Sequence, residues 1–114
     1  MAVAKVHLEG LGWRVRDVSS NQPYDFECTR GGERLIVEVK GTTSTGDQIV
    51  ITRNEVAAQR AHFPNNALIV VHSVELMRAS SSPEADGGEL LMRTPWQIEE
   101  DRLRPLAFQY AVSG

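Results

Sequence analysis

A chain of 114 residues, 41% hydrophobic and 24% charged, has the size and composition of one globular domain and is too short to bury two separate cores. Its formal charge of −3 counts against a large, independent nucleic-acid binder, so any polyanion must be met through metal ions in an acidic site or through basic surface from a neighbouring domain or subunit. No apolar run approaches the roughly 20 residues needed to cross a bilayer, no secretory signal pattern opens the chain, and the single Cys28 cannot form an intrachain disulfide, which together point to the cytoplasm.

In chain order, Ala4, Leu8 and Leu11 recur at helical spacing and predict a helix from residue 2 to about 11, with Gly12 placed to stop it. A helix at the very start predicts a single domain, residues 1–114, excised from a longer multidomain protein. A strand is expected over Trp13 to Val18, then a polar turn from Ser19 to Pro23. Two alternating runs, Tyr24 to Arg30 and Glu33 to Lys40, flank Gly31-Gly32, and such a pair marks a tight hairpin because its turn needs positive φ. The Gly41 to Gly46 stretch has the spacing of a phosphate-binding loop, but Asp47 stands where that loop needs lysine.

A short strand is expected over Gln48 to Ile51, followed by a helix from Thr52 to about His62. Thr52-Arg53-Asn54-Glu55 reads as a capping box, which by itself accounts for Glu55. Ala67 to Val71 is continuously apolar and β-branched, as expected of a strand covered on both faces. Ser80 to Gly88 reads as a mobile surface loop, Glu89 to Arg93 as a strand, Trp96 to Arg102 as a short helix, and the alternating Phe108, Tyr110 and Val112 as a last strand. Trp13, Trp96, Phe108 and Cys28 are assigned to the core. His7, His62 and His72 lack the spacing of a zinc site. The fold class is α/β, with element order α-β-β-β-α-β and then further strands.

The chemistry lies in the hairpin. A two-residue turn pairs Arg30 with Glu33, Cys28 with Leu35, Phe26 with Val37 and Asp25 with Glu38. Alternation then sends Tyr24, Phe26, Cys28, Leu35, Val37 and Val39 to one face and Asp25, Glu38 and Lys40 to the other. Opposed Cβ atoms sit about 4.5–5.5 Å apart, where like charges destabilise. A hard divalent cation such as Mg²⁺ or Mn²⁺ offsets that repulsion, and an adjacent ammonium suits phosphodiester hydrolysis. The three side chains are expected on one concave patch beside the N-terminal helix.

Pro23-Tyr24-Asp25, twelve intervening residues and Glu38-Val39-Lys40 resemble the signature of PD-(D/E)XK nucleases, the restriction-endonuclease-like superfamily. More narrowly, Tyr24-Asp25-Phe26-Glu27, Glu38-Val39-Lys40-Gly41-Thr42-Thr43 and Thr52-Arg53-Asn54-Glu55 are similar to the NO VEIN C-terminal-type domain, over roughly residues 2 to 75. The superfamily resemblance implies a restriction-endonuclease-like mixed β-sheet flanked by helices, and a nuclease acting on nucleic acid, most simply DNA. It further implies Asp25, Glu38 and the Val39 carbonyl as ligands of Mg²⁺ or Mn²⁺, with Lys40 catalytic beside the two acids. Glu9, Gln48 and Thr42 are accessory candidates, and Thr43 and Ser44 are candidate donors to a nucleic-acid phosphate. The narrower resemblance implies a helicase or ATPase module as a neighbouring partner domain in a defence, restriction or repair system; a homodimer is a further expected assembly, and a membrane is not a partner. The competing reading is a nuclease-fold module without turnover that docks nucleic acid or a subunit.

Overall fold

A computed structural model of the chain describes residues 1–42, 48–72 and 89–113. Helix α1 (Ala2–Gly10) forms because Ala4 and Leu8, one turn apart, both reach complete burial. It ends where the Gly12 and Trp13 amides bond back to the Glu9 and Leu8 carbonyls. Gly12 has φ +94, and a Cβ there would also press on the Arg30 side chain at 3.3 Å, so glycine answers two demands at once.

The strands are β1 (Arg14–Asp17), β2 (Phe26–Arg30), β3 (Glu33–Gly41), β4 (Asn66–His72) and β5 (Glu89–Arg93), ordered β1-β2-β3-β4-β5 in one mixed sheet. β1 to β3 form an antiparallel meander, with Gly31 at φ +60 in the second turn. β3 and β4 are parallel, joined through helix α2 (Arg53–His62), and β5 returns antiparallel beside β4.

The two helices lie on opposite faces. On the α1 side, Ala4 and Leu8 close over Phe26, Cys28, Leu35, Val37, Ala67, Ile69 and Val71. On the other side, Val18, Tyr24 and Ile36 pack against Ala58 of α2. β4 is buried over all but its last residue, as its unbroken apolar run predicts. Asn66 opens that strand, fully buried, giving its side-chain amide to the Gln59 and Trp96 carbonyls and accepting from the Trp96 amide.

Several sequence expectations need correction. Residues 48–51 take no strand conformation, and of the helix expected over Trp96 to Arg102 only a 3-10 turn, Glu100–Arg102, forms. Phe108, Tyr110 and Val112 form no strand and are 88%, 85% and 91% exposed, so Phe108 is not core. Alternation marks a sequence that can join a sheet, and no described strand pairs with these residues. Tyr24 lies on the α2 face, with its ring edge-on to His62 at 5.6 Å, because the chain bends before β2 and the alternation does not reach back to it. The expected loop from Ser80 to Gly88 lies outside the described residues. No helix among the described residues is long and apolar enough to cross a membrane.

Candidate functional site

The hairpin register is the one counted from its glycines: Arg30 faces Glu33, Cys28 faces Leu35 and Phe26 faces Val37. Leu35 and Val37 point to α1, so Ile36, Glu38 and Lys40 point to α2. Glu38 is only 2% exposed. Lys40 Nζ lies 3.3 Å from Glu38 Oε2 and 2.9 Å from Glu55 Oε1, tying β3 to the first turn of α2. The expected capping box is present, with Glu55 Oε1 accepting from the Thr52 amide at 2.9 Å and Thr52 Oγ1 accepting from the Glu55 amide at 3.1 Å.

Asp25 sits one residue beyond the last β2–β3 pair. Its amide bonds the Val37 carbonyl, and its Oδ2 accepts from the Val39 amide at 2.8 Å, extending the ladder by a side chain. An amide and carbonyl of one extended residue share an edge, so the Val39 carbonyl is directed to the same edge as Asp25.

Burial drives the Glu38 carboxyl up to about 8, with the charges of Asp25 and Glu55 adding to the rise and Lys40 opposing it. Burial acts to lower the pKa of Lys40, but the Glu55 hydrogen bond and the two nearby carboxylates outweigh it and hold the ammonium above its ordinary range. Glu55 lies lower than usual: burial raises it, and its bonds from the Thr52 amide and Lys40 prevail.

Among the described residues three buried side-chain polar atoms have no hydrogen-bond partner: Glu38 Oε1 and both amide atoms of Gln59. Gln59 is fully buried on α2, one turn after Glu55 on the same helix face. Glu38 and Gln59 thus bring unsatisfied polar atoms to the layer between α2 and the sheet.

The structure brings Asp25, Glu38 and Lys40 together and sets them under α2. They do not sit beside the N-terminal helix. Glu9 is exposed on α1, which packs against the opposite face, so it stands apart from the cluster. Gln48 is exposed and makes no described hydrogen bond to it. Thr42 continues past β3 with its amide bonded to the Val71 carbonyl, and Thr43 and Ser44 lie outside the described residues. Sequence reasoning assigned Glu55 wholly to capping and passed over Gln59; their i, i+4 spacing on a helix whose N-cap, Thr52, lies twelve residues after Lys40 was the available signal. Cys28 is buried and free, and burial pushes its thiol up to about 11, consistent with a packing role.

No group of three or more His, Cys, Asp or Glu side chains placed to hold a metal ion occurs among the described residues. Of the three carboxyls at the cluster, Glu55 is taken up by Lys40 and the Thr52 amide, which leaves Asp25 and Glu38, with the Val39 carbonyl on the Asp25 edge, as oxygen donors. That set fits a hard ion such as Mg²⁺, which takes one or two carboxylates and keeps several waters.

These features define an α/β domain with a mixed five-stranded sheet and a buried acid–lysine cluster beneath its crossover helix. The model of the family described as protein NO VEIN, C-terminal, matches residues 1–84, and the chain belongs to that family. No curated protein and no solved structure matches the chain.

Proposed function

We propose that this is a metal-dependent nuclease domain with a restriction-endonuclease-like core, hydrolysing phosphodiester bonds of nucleic acid, with DNA as the substrate. The observation that carries the reading is the Glu38 carboxyl, buried at 2% exposure with Oε1 unpartnered and Asp25 and Lys40 beside it. A buried unsatisfied acceptor costs about 1–3 kcal/mol, a cost that a ligand removes. Asp25, Glu38 and the Val39 carbonyl are the groups that would hold Mg²⁺ or Mn²⁺. A divalent ion held there supplies Lewis-acid polarisation of phosphate and acidifies water.

The chain's own residues supply the rest. Lys40, whose pKa burial lowers but the Glu55 hydrogen bond and nearby carboxyls raise above its ordinary range, acts as a fixed positive charge for the negative charge that grows on phosphate oxygens. Glu55 positions that ammonium, and Asp25 fixes the β3 backbone at Val39 between the acid and the lysine. Gln59 offers its buried amide to a polar group bound beneath α2.

Plasmid nicking with Mg²⁺ or Mn²⁺ tests the reading. The native chain should nick, chelation should abolish nicking, and Lys40→Ala and Glu38→Gln should each slow it by about 10²-fold or more. A native chain that leaves plasmid intact with either ion would overturn it. That outcome would favour a docking module without turnover, a reading supported by one observation: Lys40 is already engaged by the Glu55 carboxylate at 2.9 Å and the Glu38 carboxyl at 3.3 Å.

A further inference from the structure

We propose that Arg14, Arg16 and Arg34 form a preorganised surface for a nucleic-acid phosphate backbone, on the same sheet face as the acidic cluster and leading into it. The proposal names how that site's substrate is held and so rests on the phosphodiesterase reading.

The placement follows from the strand register. Arg14, Thr29 and Arg34 lie in one row across β1, β2 and β3, and Arg16, Glu27 and Ile36 lie in the next. Val15, Cys28 and Leu35 face α1, so their alternating neighbours face the side that Glu38 and Lys40 share. Helix α2 packs on that side chiefly against β3 and β4, and its His62 is close enough to act on Glu27. Arg16 lies about 7 Å along the strand and about 5 Å across the sheet from Asp25, by ordinary strand dimensions.

Glu27 organises the patch. Its Oε1 binds Arg16 at 3.0 Å and its Oε2 binds Arg34, so one carboxylate holds two guanidiniums side by side. The Arg34 hydrogen bond, opposed by partial burial and aided by both arginine charges, keeps Glu27 below the usual carboxylate range, and the clamp stays charged at neutral pH. Each guanidinium has five N–H donors and gives one of them to Glu27, and Arg34 also hydrogen-bonds Tyr24. The side chains remain 71% and 52% exposed. Holding them in one pose removes part of the rotamer entropy that a flexible cation loses on binding, and the planar donor fork matches phosphate oxygens.

Counting the charged groups on this patch gives three arginines against one glutamate, a local excess of two positive charges (3 − 1 = 2). Asp17 and Glu33 do not dilute it, because Asp17 pairs with Phe26 and Glu33 with Arg30 on the alternating face. A net charge of −3 for the whole chain therefore coexists with a segregated basic strip. A strip of three arginines implies sequence-independent binding in the range of about 10⁻⁴–10⁻⁶ M at physiological salt.

The experiment is fluorescence anisotropy of a labelled DNA oligonucleotide, without divalent metal, over a series of salt concentrations. Arg14→Gln/Arg16→Gln/Arg34→Gln should bind at least 10-fold more weakly than the native chain at low salt. Its plot of log affinity against log salt should be shallower by about 2 to 3, close to one unit per lost phosphate contact. Single Arg14→Gln leaves the Glu27 pairings intact, guards against a folding defect in the triple variant, and should lower the slope by about 1. Arg104→Gln, the same charge change on the exposed C-terminal segment, should leave it unchanged. Equal affinity and slope in native and triple variants would sink the proposal, as would competition by poly-glutamate as effective as by unlabelled DNA. DNA held through these arginines but never nicked upholds the surface and overturns only the hydrolysis reading; nicking with unaltered affinity in the triple variant does the reverse.

Discussion

The two sides of β3 are made from one run of residues and behave in opposite ways. Toward α1, Leu35 and Val37 enter a continuous apolar cluster in which Leu8, Cys28, Ala67 and Ile69 have little or no contact with water. Each fully buried aliphatic side chain there contributes about 1.5–3 kcal/mol. Toward α2, Ile36 makes a small apolar contact with Val18, Tyr24 and Ala58, and the next two alternate residues are Glu38 and Lys40. The comparison separates the tasks: one face supplies the stability that lets the other keep a buried acid in an unfavourable state.

Breaking the α1 face should have the largest effect. Ile69→Ala removes a fully buried side chain from that cluster and should cost about 2–5 kcal/mol in urea denaturation. A loss below about 1 kcal/mol would mean that this side is not the stabilising one.

The pH dependence of stability sharpens the contrast on the other face. The Glu38 carboxyl is raised from 4.5 to about 8 on folding, so between those values the folded chain holds a proton that the unfolded chain has released. Stability from this group is therefore complete below pH 4.5 and is lost as pH climbs toward 8, with a slope of at most about 1.4 kcal/mol per pH unit. Without metal, Glu38→Gln should flatten this decline and be the more stable chain at pH 8, by about 1 kcal/mol or more. Parallel stability profiles for the two chains from pH 5 to 8 would refute the assignment.

The smallest effect separates two roles of Asp25. Asn can still accept from the Val39 amide while removing the charge that faces Glu38. In metal-free protein at pH 8, Asp25→Asn should melt at or slightly above the native chain, by up to about 1 kcal/mol. Asp25→Ala leaves the Val39 amide without its acceptor and should lie about 1–2 kcal/mol below Asn. An Asn variant as unstable as Ala would show that the negative charge itself is structural.

Much of this arrangement was legible because it depends on short-range rules. The Gly31-Gly32 turn fixes the β2–β3 register as far as Phe26 and Val37, and the Thr52 to Glu55 spacing fixes the start of α2; the expected Asp25–Glu38 pair does not form, because the Asp25 amide bonds the Val37 carbonyl and its side chain takes the Val39 amide. Which helix covers which face was not legible, since alternation groups residues by side without saying what packs there. The cluster accordingly lies under α2, away from α1. Tyr24 escaped for a related reason: the bend through Gln22 to Asp25 ends the alternation just where Asp25 begins bonding through its side chain. Glu55 escaped because one sufficient role concealed a second. Phe108 and Tyr110 carry a strand pattern, but a strand needs a neighbour, and neighbours are a property of the whole fold.

Glu55 Oε1 accepts from both the Thr52 amide and Lys40 Nζ, each at 2.9 Å. One atom thus closes the helix end and restrains the lysine, which couples the two. When the first turn of α2 frays, the ammonium loses its nearer anchor in the same event and keeps only the longer contact to Glu38. Hydrogen exchange at the Thr52 amide should therefore change in Lys40→Ala, because the two donors share one acceptor atom.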